Sequence, residues 1–205
     1  MRLVLASASP RRAELLRAAG FRFEVDPVTV DERATDGESP REHVRRLARE
    51  KALAGAARHP DAIVLGADTV VVVSGAILGK PLDREDARQM LRRLSGRAHE
   101  VHTGIALSQR GLVAEAVEIS AVHMAPMSED EIGWYVASGE ADDKAGAYAV
   151  QGIASRFVHR LEGSYSAVVG LPVHLVHRLL RELGGEDQGD SVPPSDGSSI
   201  MGGEH

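Results

Sequence analysis

Apolar and polar positions change period several times along the chain, and each change marks an element. Arg2 to Ala6 is a short apolar run, read as a buried strand, followed by the loop Ser7-Ala8-Ser9-Pro10. Pro10 opens a helix that runs through Ala19 and stops at Gly20. Phe21 to Val25 alternates as a second strand. Ser39-Pro40-Arg41-Glu42 forms a capping box with proline in the first helical position, and that helix runs to about Arg58 with Val44, Leu47 and Ala48 on its apolar face. Ile63 to Val73 is a strand. Ser74-Gly75 turns it into Ala76-Ile77-Leu78, a hairpin return.

Further on, Asp83 caps a helix with Ala87, Met90, Leu91 and Leu94 at helical spacing, closed by Gly96. Val101 to Leu107 and Leu112 to Met124 are two strands joined near Arg110-Gly111. Ser128 and Glu131 make another capping box for a helix ending at Gly139. Tyr148 to Val158 is mixed and glycine-interrupted, and Pro172 opens a last helix to about Leu183. Strands interleaved with helices predict an α/β chain. Hairpins beside crossover helices predict a mixed sheet, not a purely parallel one. One domain over residues 1–183 is expected. Residues 184–205, rich in Gly, Ser, Asp and Pro, are expected to form a disordered tail.

Composition narrows the chemistry. The chain has 205 residues, 43% of them hydrophobic, so it can bury a core without staples. Its 24 basic residues against 30 acidic ones give a net charge of −6, which offers no general attraction for a nucleic-acid backbone. An anionic substrate must therefore be held by a local basic cluster. With no cysteine, thiolate catalysis and thiolate metal sites are excluded. The N-terminus MRLVLASASPRR carries charge too early to read as a signal peptide, and no run is long enough to span a bilayer. A cytoplasmic protein without membrane or nucleic-acid partners is expected.

Three places break their local pattern. In SASPRR, a short strand and a small-residue loop lead into a helix start, which makes a ready anion site of outward N–H groups. Ser7 and Ser9 add hydroxyls, and Arg11 and Arg12 add charge that opposes the helix dipole unless an anion offsets it. The bland alternative is a surface cap followed by solvated arginines. Lys51 lies seven residues after Val44 and four after Leu47, so it projects from an apolar helix face. Either it snorkels to water or it reaches into a cleft to meet phosphate oxygens. Asp68 stands in the middle of IVLGADTVVVV, where an unpaired carboxylate costs several kcal/mol. It is either a structural salt bridge or a cleft-floor carboxylate able to activate water or hold a divalent ion.

Weaker hints surround these. Lys80, framed by Gly79 and Pro81, can aim its amine inward, although the phosphate-loop spacing is absent. Asp31-Glu32 contains either a metal ligand or two solvated acids. Gln151 can read a base edge or satisfy backbone. The nine histidines show no third ligand at convincing zinc spacing, and Gly163-Ser164-Tyr165-Ser166 is not a serine-hydrolase elbow.

Seven segments, LASASPRR, LAREKA, LGADTVV, LGKP, LSGRAHEVHTG, DKAGAYAVQG and GSYSAVVGLP, together resemble the Maf family in order and spacing from Leu3 to about Leu183. The resemblance implies an elongated mixed sheet flanked by helices, with two lobes and a deep central cleft. It implies a homodimer that hydrolyses nucleoside triphosphates with a divalent metal such as Mg²⁺ or Mn²⁺. Asp68 matches the family's proton acceptor and Glu32 its metal-associated acid, with Asp68 also near the metal. Arg12, Lys51 and Lys80 match phosphate-site positions, beside Ser7 and Ser9. Arg11, Thr69 and Gln151 match positions that set base choice in the dTTP/UTP branch, whereas the sister branch acting on 7-methyl-GTP has Trp, Gln and Glu there. The expected activity is cleavage of dTTP, UTP or modified pyrimidine nucleotides at the α–β bond, keeping them out of nucleic acid. Two alternatives remain open: a non-catalytic nucleotide-binding regulator of cell division, suggested by the family's association with septum formation, and a 7-methyl-GTP or inosine-triphosphate pyrophosphatase.

Overall fold

A computed structural model describes residues 2–184. The chain runs β1 (Leu3–Leu5), α1 (Pro10–Ala18), β2 (Glu24–Val25), α2 (Pro40–Arg58), β3 (Ile63–Val73), β4 (Ala76–Leu78), α3 (Arg84–Leu94), β5 (Ala98–Gln109), β6 (Leu112–Met124), α4 (Glu129–Ala137), β7 (Val158–Glu162), α5 (Tyr165–Val169) and α6 (Val173–Glu182). Two 3₁₀ turns, Ala145–Ala147 and Ile153–Phe157, fill the mixed segment before β7. Both capping boxes form, at Ser39/Glu42 and at Ser128/Glu131. The tail reading for residues 184–205 falls, beyond Gly184, outside the described residues.

The sheet is mixed, as the alternation of hairpins and crossovers predicts. Its order is β2-β1-β3-β5-β6-β7, with β4 paired to β3. β1 is parallel to β2 and to β3, and every other pairing is antiparallel. β3 pairs with β5 along most of its length, but its other edge is shared. β1 covers residues 63–65, and β4 covers residues 71–73. Between them, among the described residues, no strand lies beside the edge of β3, and Asp68 lies in that gap.

The two faces of β3 are built differently. Leu65, Ala67, Thr69 and Val71 share one face with Leu107, Ile105, Thr103 and Val101 of β5. On this face Leu65, Ala67, Ile105 and Leu107 pack with Leu16 of α1 and Leu175, Val176 and Leu179 of α6. Beyond them Val71 and Val101 pack with Leu91 and Leu94 of α3 and Tyr135 of α4. Thr69 and Thr103 stand between these two cores, so the apolar layer is interrupted beside Asp68.

The opposite face is covered by α2, which comes unusually close. A Cβ on Gly66 would lie 2.2 Å from the Ala48 carbonyl oxygen, and one on Gly104 would lie 2.3 Å from that of Val44. Gly104 is the register partner of Asp68, and Gly66 lies two residues before it. Two missing side chains therefore let the helix backbone settle on the sheet beside the carboxylate.

The structure lengthens one strand of the pattern reading and adds two elements to it. β5 starts at Ala98, three residues ahead of the expected Val101, because His99 is a buried strand residue on the Val101 face. β7 escapes a period-two reading since its apolar residues, Val158 and Leu161, are three apart. The register shift opposite His123 and Met124 turns both toward the core. α5 has only five residues, a length at which periodicity carries no signal. The Ser164 side chain caps it by accepting from the Ala167 N–H, and Gly170 at φ 130° closes it.

Candidate active site

A cavity of about 710 Å³, within the range of small-molecule sites, opens at the gap in β3. Its walls include Ser7, Ser9, Arg11, Arg12, Glu32, Lys51, Asp68, Thr69, Lys80 and Gln151, so every residue that the family resemblance matched to a site position lines one space. Asp31, the other acid of the Asp31-Glu32 pair, instead meets Arg33 on the surface.

Lys51 reaches the cavity from the buried face of α2. Its side chain is 9% exposed, with Nζ 2.8 Å from Asp68 Oδ1 and 2.6 Å from Glu32 Oε1. It does not snorkel: the ammonium joins two carboxylates from different elements. Burial without such partners would be costly for either charge. The bond to Lys51 holds the Glu32 carboxyl below its usual range, with the fields of Lys80 and Arg12 acting the same way. Asp68 is thus both salt-bridged and on the cavity wall. Among the described residues none donates to its second oxygen, Oδ2.

Arg12 occupies the gap itself. Its Nε donates to the Gly170 carbonyl at 2.9 Å, and Nη1 donates to the Ala67 carbonyl at 2.9 Å and to Ser7 Oγ at 3.0 Å. The Ala67 carbonyl faces the edge where β1 has ended, so the guanidinium replaces a missing strand. Nη2 donates to Thr69 Oγ1 at 3.3 Å. Among the described residues, four of its five N–H groups are thereby committed to the protein, which leaves one for an anion. Burial pulls its pKa below the ordinary value, against the opposing field of Asp68.

Thr69 continues this chain. Thr103 Oγ1 donates to the Ala167 carbonyl at 2.8 Å, which makes Thr69 the donor in the 3.0 Å contact between the two hydroxyls. Arg11 lies across the cavity from Asp143, with Nη1 3.6 Å from Oδ2. Asp143 is itself bonded to Lys144 Nζ at 2.6 Å, which lowers its pKa. Ser7 Oγ accepts from the Ser9 N–H at 3.2 Å and holds the loop in shape. Lys80 and Gln151 are exposed at the rim.

Pattern reading did not single out Thr103, Asp143, Lys144 or Tyr148. The last three lie within or beside the DKAGAYAVQG segment, and their signal was the segment, not any one residue. Tyr148 lines the cavity and its hydroxyl lies 2.7 Å from His99 Nε2, a ring buried on β5. No group of three or more His, Asp or Glu side chains placed to hold a metal occurs among the described residues. No helix among them is long and apolar enough to cross a membrane.

Comparison with known proteins extends this geometry. The chain is 53% identical over 185 residues to a dTTP/UTP pyrophosphatase of Syntrophus aciditrophicus, covering 89% of this chain and 90% of the relative. It is 52% identical to one from Symbiobacterium thermophilum, covering 89% and 94%, and 49% identical to one from Vibrio cholerae, covering 89% and 98%. In fold it is similar to the solved structure of the Staphylococcus aureus Ham1 protein, with a TM-score of 0.50 and 15% identity over 89% of this chain and 100% of that one. The profile of Maf-like proteins matches residues 2–183, so the chain belongs to the Maf family.

Proposed function

We propose that this protein is a nucleoside triphosphate pyrophosphatase that cleaves dTTP and UTP to the monophosphate and pyrophosphate, acting in the cytoplasm as a homodimer. The observation that carries this reading is the Lys51–Asp68 pair on the wall of a cavity that also collects Arg11, Arg12 and Lys80. The base class follows the relatives, which are named for dTTP and UTP and share about half of their residues with this chain. The two apolar cores on either side of Thr69 and Thr103 support a two-lobed domain over residues 1–183 with the substrate cleft between its lobes.

In this reading the triphosphate lies along Lys51, Lys80 and the free N–H of Arg12, each charge-assisted bond contributing roughly 1.5–3 kcal/mol. Arg11 leaves Asp143 for the substrate, and Gln151 at the rim meets the base. Asp68 Oδ2 takes the proton from the attacking water, whose oxygen bonds to phosphorus as the bridge between the α- and β-phosphoryl groups breaks, giving the monophosphate and pyrophosphate.

The residues fit a divalent cation. Glu32 and Asp68 already share one positive charge, the Lys51 ammonium, and a Mg²⁺-type ion uses one or two carboxylates with phosphate oxygens and water. When bound, the ion supplies charge neutralisation on the phosphate oxygens.

Pyrophosphate release from dTTP, UTP, CTP, ITP and 7-methyl-GTP, with Mg²⁺ or Mn²⁺, tests the proposal. Release confined to dTTP and UTP is expected. Preference for ITP or 7-methyl-GTP would reassign the base, and binding without release would leave a nucleotide-binding regulator. Light scattering tests the dimer.

A further inference from the structure

Glu32 is carried by the stretch between β2 and α2, which contains neither helix nor strand. Among the described residues, no backbone–backbone hydrogen bond ties residues 28–34. A carboxylate on such a stretch is poorly placed unless something else holds its backbone.

Arg46 provides that hold. Its Nε donates to Glu38 Oε1 at 2.7 Å and its Nη2 donates to Glu38 Oε2 at 2.9 Å, a two-pronged bond of the strong, directional kind. Nη2 also donates to the Arg33 carbonyl at 3.0 Å, one residue from Glu32. Glu38 Oε2 further accepts from the Thr35 N–H at 3.2 Å and lies 3.1 Å from His43 Nδ1. The Glu38 side chain is only 9% exposed. Arg46 stands five residues before Lys51 on α2. One helix therefore presents both the lysine that meets the Glu32 carboxylate and the arginine that ties down the backbone beside it.

We propose that Arg46, acting through Glu38 and the Arg33 carbonyl, is a positioning residue that holds Glu32 at the divalent-cation site. The inference rests on the reading of Glu32 as a metal-associated acid. Supporting groups behind metal ligands typically change metal affinity by about 10–100-fold when removed.

The test measures Mn²⁺ binding to the full chain by electron paramagnetic resonance of the free ion, for Arg46→Gln, Glu38→Gln and Glu32→Gln beside the native protein. Arg46→Gln and Glu38→Gln are expected to raise the Mn²⁺ Kd about tenfold, and their turnover is expected to recover as Mn²⁺ is raised. Amide exchange at residues 31–36 should be faster in both, without metal. Native Mn²⁺ affinity in both variants, with Glu32→Gln weakened, overturns the role of Arg46 and leaves that of Glu32 standing. Native affinity in Glu32→Gln overturns both. Should Arg46→Gln fail to fold, Glu38→Gln, which keeps the side-chain shape, decides the question.

Discussion

Lys51 Nζ lies 2.8 Å from Asp68 Oδ1, across the contact between α2 and β3. The pair forms where the edge of β3 has lost one neighbour and not yet gained the next. Asp68→Asn preserves the shape and removes the proton acceptor. Turnover is expected to fall about 10²–10⁴-fold while the fold survives, because Glu32 still meets the Lys51 ammonium. Near-native pyrophosphate release by this variant would exclude Asp68 as the base.

Lys51→Ala has a double expectation. Removing the ammonium leaves two facing carboxylates without their shared cation, and breaking a buried pair costs about 3–5 kcal/mol. The free energy of urea unfolding should drop by something near the lower figure, because the field of Arg12 remains. KM for dTTP should rise as well. Lost stability with unchanged nucleotide affinity would make Lys51 purely structural.

Gly104→Ala tests the approach of α2 without touching a charge. Its new Cβ meets the Val44 carbonyl at 2.3 Å, so α2 must lift from the sheet. A loss of about 1–3 kcal/mol is expected, with a parallel fall in turnover as Lys51 is drawn from Asp68. Gly133→Ala, inside α4 with nothing within 4 Å of its Cβ, is the control. It should stabilise the protein by about 1 kcal/mol and leave turnover intact.

His99 gives a pH dependence. Burial holds its pKa down at about 4, from an ordinary 6.5. Between these values the unfolded chain binds the proton and the folded one does not, so stability falls as pH descends from 6.5 toward 4. The loss amounts to about 3 kcal/mol once pH has passed below 4. Urea midpoints at pH 7 and pH 4.5 should differ less for His99→Gln than for the native chain. An equal difference would show that other groups carry the acid sensitivity.

The amino-acid pattern by itself determined the α/β class, the mixed sheet, both capping boxes and the positions of most strands, because these follow from local period and end chemistry. It also marked Lys51 and Asp68 as misfits, a charge on an apolar helix face and another inside an apolar strand. It left each with a bland alternative, since period says which face a side chain occupies and not what lies opposite. Tertiary structure alone decided that the two misfits partner each other, through glycines at 66 and 104 that have no meaning until a helix is laid against them. It likewise decided that Arg12 completes the edge of β3, and that a bulge turns both Val158 and Leu161 toward the core. These are contacts between segments distant in sequence, whose energies depend on register and approach, quantities that no local window contains.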